Sequence, residues 1–426
     1  MMVCVLGVLV AACSSTAETP SNASIKVGAL LPFTGNQAAI GRNIEQALLL
    51  AVQDVNNAGG IAGKPIELIE RDSNSGTDRG LEQLLQLLYV DKVRYLIGPE
   101  EDTLANEIVQ DIEALGVLNL LPGLAAPATK RASVQGAWLR LAADPYSIAC
   151  GIAKHAMQEG VSTTNTLAST NDYAMTLASN FGGLYSTCGG RALPAVTVAP
   201  CTGSYVQQVE KVFSYDAQRT LLIVPTATAA DIVTEWAVNG TRGSWYLSPL
   251  LHDEALLYNI PFGALDGSFG LSPTLSLGSE CETRTGTIAG YVGCRNDNAQ
   301  HFSRRFAERW DGALPFPAAN FYYDGLVLLA MSLNYASAVQ TEPVSASKLQ
   351  KMIIRNNVPQ SAAAWWWNLP TAMAQSSQGT PLRYVGAAAE YTFDQFGSAP
   401  SLIFDTWTVK NNAFHDAQPY YANCTE

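Results

Sequence analysis

The chain has 426 residues, enough for two or three ordinary domains, and 48 % of them are hydrophobic, as in globular proteins with a substantial core. Its net charge of −12 argues against nucleic acid as a partner, because neutralising phosphates requires a basic face. The charge does not identify a ligand.

The amino terminus is predicted to be a signal peptide, residues 1–12, rather than part of the fold. Residues 3–12 form an apolar run that is too short to span a bilayer. The run ends in Val10-Ala11-Ala12-Cys13-Ser14, which resembles a bacterial lipobox, so cleavage before Cys13 and lipid attachment to Cys13 are expected. No Lys or Arg precedes the run, which leaves open an upstream start or an uncleaved apolar terminus. Residues 13–24 are predicted to be a flexible, lipidated tether.

The next stretch predicts a strand, a crossover helix and a second strand. Residues 25–31 are nearly all apolar, as in a strand buried on both faces. Gly59 and Gly60 end the helix that follows, because glycine accepts the left-handed cap conformation. A unit of this kind is right-handed and builds a parallel sheet. One face of the helix is apolar, with residues at helical spacing: Ile44, Leu48, Ala51 and Val55.

Strands and helices alternate in the rest of the chain, which predicts the α/β class with two doubly wound parallel-sheet lobes. Lobe 1 is assigned to residues 25–141 plus 273–385 and lobe 2 to residues 142–272 plus 386–426. The three crossings between them form a hinge that permits closure. Three local predictions bear on the structure below: a helix over 81–89 with Leu81, Leu84, Leu85 and Leu88 on one face, a helix over 104–115, and a strand pair formed by 391–393 and 402–409.

Several short motifs, in this order, resemble the type I periplasmic binding proteins of the branched-chain amino acid class, which serve ABC transporters. The resemblance covers residues 25–410, and it rests on the order and spacing of the motifs, none of which is strong alone. The motifs are Leu31-Pro32-Phe33-Thr34-Gly35, Asp54-Val55-Asn56, Ala58-Gly59-Gly60-Ile61, Asp72-Ser73, Gly98-Pro99 and Phe321-Tyr322-Tyr323-Asp324-Gly325.

The sequence offers no positive indication of an enzyme, a cofactor or a metal. The motifs of serine hydrolases, zinc proteases, P-loops and dinucleotide-binding folds are absent, and no Cys-x-x-Cys occurs. The eight cysteines fit an exported protein. We favour the disulfides Cys188–Cys201 and Cys281–Cys294, because each pair flanks a short glycine-containing segment. Cys150–Cys424 then follows by elimination.

The topology places a ligand between the lobes, because parallel sheets bind ligands outside the carboxyl ends of their strands. The loops at those ends provide the candidate ligand-binding residues. They are Gln37, Glu101, Asp102, Gly123, Leu124, Ala125, Asp172, Tyr173, Thr226, Pro249 and Tyr322.

Three of these loops depart from the contacts that the resemblance implies for an amino acid ligand. The loop Glu100-Glu101-Asp102-Thr103 carries three acids where family members have a hydroxyl-rich loop for the ligand carboxylate. Residues 123–125 lack the usual Thr, and residues 248–250 lack the acid that meets the ligand ammonium. A neutral or cationic ligand with apolar surface is therefore the hypothesis, since an acidic loop repels a carboxylate.

Structural interpretations of the same residues remain open. Acids at a helix start are also favoured by the macrodipole. Tyr173 fits core packing as well as the cleft, and Tyr322 and Tyr323 fit the core. The tryptophans 365–367 indicate either a segment packed on lobe 1 or a patch for a partner or membrane.

The function that follows is an extracytoplasmic, lipid-anchored, monomeric binding protein. It captures a small ligand, such as an amino acid, an amide or a related compound, and delivers it to an ABC permease. An alternative is a ligand sensor or envelope lipoprotein without a transport role, which the Ser after Cys13 favours weakly. A secreted hydrolase is the third reading, for which no activated nucleophile can be named.

Overall fold

The computed structural model describes residues 24–35, 37–123, 138–199, 203–238, 244–273, 301–395, 397–399, 403–416 and 420–421. The strands are β1 Ile25–Leu31, β2 Ile66–Asp72, β3 Tyr95–Ile97, β4 Leu118–Leu121, β5 Trp138–Arg140, β6 Thr163–Ser169, β7 Arg191–Ala192, β8 Val196–Val198, β9 Arg219–Ile223, β10 Ser244–Leu247, β11 Phe269–Pro273, β12 Ala362–Trp365, β13 Leu382–Val385, β14 Ile403–Lys410, β15 Ala413–Asp416 and β16 Tyr420–Tyr421. The helices are α1 Ala38–Asn57, α2 Thr77–Leu85, α3 Asp102–Glu107, α4 Val109–Leu115, α5 Pro145–Gln158, α6 Asp172–Thr187, α7 Val206–Ser214, α8 Thr226–Val238, α9 Glu254–Tyr258, α10 (301–309), α11 Pro317–Val339, α12 Ala346–Asn356 and α13 Leu369–Ser377. A π-helical turn follows α2 at Gln86–Val90, and 3-10 turns lie at Pro249–Leu251 and Trp366–Asn368.

Lobe 1 is built on a parallel five-stranded sheet in the order β2-β1-β3-β4-β5. Alternate residues of β1 point into two different cores, which is why nearly every residue of this strand is apolar. Val27, Ala29 and Leu31 pack with α1 and α11, whereas Leu30 packs with α2, α3 and α4 on the other face. The sheet is therefore covered by helices on both sides.

Lobe 2 repeats this arrangement with β6, β9, β10 and β11 in parallel and β7 and β8 beside β6. Leu222 and Ile223 of β9 enter separate cores on opposite faces of the sheet. The predicted fold class of two doubly wound parallel lobes is confirmed. The sheet also carries an antiparallel edge, because β14 pairs with β11, and β15 and β16 pair with β14.

The chain joins lobe 2 for the last time later than predicted. Residues 386–395 and 397–399 lie on lobe 1, where Ala387, Ala388 and Tyr391 belong to its main core. The Arg140 amide in β5 donates a hydrogen bond to the carbonyl of Gly397 at 2.8 Å. The strand predicted at residues 391–393 is wrong, since this segment is irregular and β14 finds its partners elsewhere.

Two helices differ from the sequence expectation. Leu85, the last residue of α2, is 45 % exposed, whereas Leu87 in the π-helical turn that follows is fully buried. The helix predicted over 104–115 is divided into α3 and α4 at Ile108.

The tryptophan segment packs on lobe 1. Trp366 is 1 % exposed and contacts Phe302 and Tyr323, whereas Trp367 is 45 % exposed. Within the described part of the chain, no helix combines the length and apolar character needed to cross a membrane.

The two cysteines within the described ranges differ. Cys188 is a free, exposed thiol at the end of α6, so the expected Cys188–Cys201 bridge is wrong for this structure: the helix end holds the thiol out in solvent. Cys150, buried in α5, is disulfide-bonded. Cys13, Cys201, Cys281, Cys294 and Cys424 lie outside the described residues, so the partner of Cys150 stays a prediction.

Candidate functional site

The loops after β1 and β2 are bound together at the carboxyl edge of lobe 1. The Asp72 carboxylate accepts hydrogen bonds from the amides of Phe33 and Thr34 at 2.9 and 3.1 Å, and from the Thr34 hydroxyl at 2.6 Å. Although desolvation opposes the charge, bonds from Thr34, Asn74 and Phe33 hold the pKa of Asp72 below its ordinary value. The loop after β1 is thus fixed before any ligand arrives.

Gln37 lies at the start of α1 on this edge. Its backbone amide donates a hydrogen bond to the Ser75 hydroxyl at 3.0 Å, but its side chain makes no capping hydrogen bond. The buried Gln37 Oε1 has no hydrogen-bond partner among the described residues. A buried carbonyl oxygen of this kind favours a donor from a ligand or water.

The loop after β3 carries an acidic pair that points inward. Glu101 is 9 % exposed and its carboxylate accepts a short hydrogen bond from Ser73, which directly follows β2. A Cβ at position 123, after β4, would lie 2.7 Å from Oε2 of Glu100, so this carboxylate lies directly against the neighbouring loop. Glu100 and Glu101 therefore form an inner surface of the carboxyl edge, which we call the floor, rather than an exposed helix cap.

Tyr322 supports this floor from below. The side chain is fully buried in the lobe 1 core. Burial, together with the nearby charges of Glu100 and Glu101, raises the pKa of Tyr322 well above its ordinary value. Tyr322 is thus a neutral phenol beneath the acidic pair, and its full burial favours the core interpretation of this tyrosine.

The facing edge of lobe 2 begins at α6. Asn171 caps this helix by accepting from the amide of Ala174 at 2.8 Å, a typical N-cap bond. Asp172 opens the helix, and Tyr173 is 1 % exposed in the core behind it.

Two further loops complete the lobe 2 edge. The Thr226 hydroxyl, at the start of α8, donates to Asp253 at 3.2 Å. Ser169 and Ser248, at the ends of β6 and β10, are fully buried, and their hydroxyls have no partner among the described residues. Pro249 is buried beside Ser248.

The carboxyl edges of the two lobes face each other. Cα atoms of α3 and α6 approach within 8 Å, and each is the first helix after a strand, α3 after β3 and α6 after β6. The space between the edges is therefore an interlobe cleft.

The structure places most of the predicted site residues at this cleft edge, although their contact with a ligand stays a prediction. Gln37, Glu101, Gly123, Thr226 and Pro249 lie in the edge loops. Asp102 and Asp172 lie there by backbone position, their side chains not being described. Tyr173 and Tyr322 lie behind the edges, and Leu124 and Ala125 are outside the described residues.

Sequence reasoning did not include Ser73, Ser169 and Ser248 among the candidate ligand-binding residues. Their common feature is a serine at or directly after the carboxyl end of a strand, which the sequence does show. Among the described residues, no group of three or more acidic, His or Cys side chains is arranged to hold a metal.

Two facing α/β lobes with a cleft at their carboxyl edges define a two-lobed binding protein. A family model described as periplasmic binding protein matches residues 24–352, more than half of the chain, so the chain belongs to the periplasmic binding protein family. The expected resemblance is confirmed.

Curated relatives match over short stretches. The chain is 30 % identical over 112 residues to the Leu/Ile/Val-binding protein BraC3 of Rhizobium johnstonii, covering 26 % of this chain and 30 % of that protein. It is 31 % identical over 98 residues to Leu/Ile/Val-binding protein homolog 7 of Brucella abortus, covering 23 % and 24 %. Each match spans less than a third of the relative.

Solved structures share the fold over nearly the whole chain. A leucine binding protein from Thermotoga maritima superposes with a TM-score of 0.70 at 16 % identity, covering 93 % of this chain and 99 % of that one. A Streptococcus pneumoniae branched-chain amino acid binding protein with isoleucine gives 0.68 at 17 %, covering 93 % and 100 %. A solute-binding protein from R. palustris with benzoate gives 0.68 at 17 %, covering 94 % and 97 %.

Proposed function

We propose that this protein is an extracytoplasmic, lipid-anchored solute-binding protein that captures a small ligand by closure of the lobes and delivers it to an ABC importer. The observation that carries the proposal is the cleft formed by the two carboxyl edges, with α3 opposite α6. Relatives named for leucine, isoleucine and valine support the amino-acid-like size of the ligand. Hinge closure, rather than covalent chemistry, is the proposed activity.

The ligand that the floor favours is neutral or cationic, such as an amide or an amine. Glu100 and Glu101 place two carboxyl groups beneath the loop where a ligand carboxylate would otherwise be held. An anionic group of a ligand held beside these carboxylates would meet like charge in a poorly solvated site. Burying an unpaired charge there costs on the order of several kcal/mol. An ammonium or amide group meets acceptors instead.

A thermal-shift screen tests both statements. The panel holds leucine, amides, polyamines and aromatic acids. A ligand at ~1,000 times its dissociation constant stabilises the folded chain by about 4 kcal/mol. We expect a polyamine or an amide to raise the melting temperature, and Glu101→Gln to reduce that rise.

The control is Glu210→Gln, which removes an exposed carboxylate from α7 in lobe 2 and leaves the ligand effect unchanged. Each ligand shift is compared with the same variant without ligand, so any change in basal stability cancels. Strong stabilisation by leucine that survives Glu101→Gln would contradict the ligand class, and no stabilisation by any compound would count against capture in this cleft.

A further inference from the structure

The edge of lobe 1 opposite the cleft carries a group of exposed cations. Lys26 is the second residue of β1, Lys64 precedes β2, and Lys92 and Arg94 precede β3. These three strands lie side by side, with Ile25 opposite Ile66 in the register. The cations therefore converge at the amino ends of neighbouring parallel strands, which we call the amino edge.

The amino edge stays positive after its acids are considered. Asp91 is bound to Arg71 at 2.7 Å. Glu67 lies beside Lys26 in the strand register, and Glu113 belongs by backbone position to the last turn of α4, which leads to this edge. The four cations of the amino edge outnumber Glu67 and Glu113, so this surface has a net positive charge. The whole chain, by contrast, carries a net charge of −12.

Exposed apolar side chains lie beside these cations. Tyr89 is 56 % exposed and Val90 63 %, both on the π-helical turn that leads into β3. Leu115, before β4, is 42 % exposed. Aromatic and apolar side chains next to lysine and arginine are the composition of surfaces that lie at a bilayer interface.

The predicted tether leaves from the same edge. Ser24 immediately precedes β1, so the chain upstream begins at the amino edge. Cys13 is eleven residues away in the sequence, a separation that spans at most about 40 Å when extended and about 20 Å as a flexible chain. A lipid on Cys13 would therefore hold this edge close to the bilayer.

We propose that the amino edge of lobe 1 docks on an anionic phospholipid bilayer. The proposal rests on the proposed function, through the tether. An acyl anchor and a cationic surface together give firmer attachment than a single acyl chain. Because the cleft lies at the carboxyl ends of the same strands, docking leaves the cleft open to solvent for ligand capture, and delivery to the importer requires the protein to leave the docked position.

The test is binding of the full chain to vesicles, with Cys13→Ser to prevent lipid attachment. Sedimentation compares phosphatidylcholine vesicles with mixed phosphatidylglycerol and phosphatidylcholine vesicles. The difference between them isolates the charge effect from any apolar insertion of the amino terminus. One variant combines Lys26→Gln, Lys64→Gln and Arg94→Gln. The matched control combines Arg191→Gln, Lys211→Gln and Lys410→Gln, which removes two lysines and an arginine exposed on lobe 2.

The parent chain should prefer anionic vesicles, and this preference should weaken as salt rises. The amino-edge variant should lose roughly fivefold in affinity for each cation removed, whereas the lobe 2 variant should retain the preference. Equal losses in both variants, or no preference in the parent chain, would overturn the proposal. Ligand stabilisation is measured on the same variants, so a failure of the cleft hypothesis is seen separately.

Discussion

Cys150 and Cys188 lie in the same lobe but differ in chemistry and burial. Cys150 is 3 % exposed and disulfide-bonded, whereas Cys188 is an exposed free thiol. We expect Cys150→Ser to lower the free energy of unfolding by about 2–5 kcal/mol, because the bond no longer restricts the unfolded chain. Cys188→Ser should change it by less than about 0.5 kcal/mol.

Urea unfolding without reductant measures both variants. Reductant should then lower the stability of the parent chain and of Cys188→Ser by more than it lowers that of Cys150→Ser. A parent chain that reductant leaves unchanged would contradict a stabilising disulfide at Cys150.

Residue-level prediction from sequence worked where local spacing decides the outcome. Ile44, Leu48, Ala51 and Val55 are all fully buried, as their helical spacing predicts. It did not work at Leu85, which is exposed at the end of α2, where the helix passes into a π-helical turn. The inward direction of Glu101 depends on its bond to Ser73, a contact between distant residues that no local pattern encodes.

At the scale of elements, β14 completes the lobe 2 sheet and depends on a glycine in β11. Gly270 lies opposite Trp407, and a Cβ at Gly270 would come 2.1 Å from the indole ring. We expect Gly270→Ala to lower the free energy of unfolding by about 1–3 kcal/mol, because the ring must move within a closely packed core.

Gly183 in α6 is the matched control, since a Cβ there meets no atom within 4 Å. Gly183→Ala should stabilise the protein by roughly 0.5–1 kcal/mol, because alanine restricts the unfolded chain and favours the helix. Urea denaturation compares the two. Equal effects of the two substitutions would show that Trp407 does not constrain Gly270.

The elements themselves followed from the sequence more readily than their partners. Buried strands and amphipathic helices are local patterns, and most of them lie where the pattern places them. The irregular course of residues 391–393 is set by a residue far away in the sequence. Asp324 accepts a hydrogen bond from the Tyr391 hydroxyl. The order of motifs indicated the family, while the position of the last crossing required this long-range contact.

On the scale of the whole molecule, Asp324 determines where the chain leaves lobe 1 for the last time. Its fully buried carboxylate accepts from the amides of Ala387 and Ala388, both at 2.7 Å, and from the hydroxyls of Tyr384 and Tyr391 at 2.9 and 3.0 Å. These four hydrogen bonds fix residues 386–391 to lobe 1.

The buried carboxyl group of Asp324 makes the stability of the protein depend on pH. Burial raises the pKa of Asp324 from 3.8 to about 7, against the lowering effect of its four donors. Between these values the unfolded chain has released a proton that the folded chain retains. Stability therefore falls as pH rises through this window, by up to about 1.4 kcal/mol per pH unit from this group, and becomes level above it.

Asp324→Asn tests this reasoning, because asparagine is neutral throughout the window. The variant should lose the contribution of this group to the pH dependence, and its amide, facing a donor, should cost about 1–3 kcal/mol at low pH. Tyr391→Phe is the control that removes one donor and keeps the carboxyl, so its fall in stability with pH should persist. Chemical denaturation across the window measures all three chains. An unchanged pH slope in Asp324→Asn would mean that Asp324 is charged throughout, with its four donors outweighing the cost of burial.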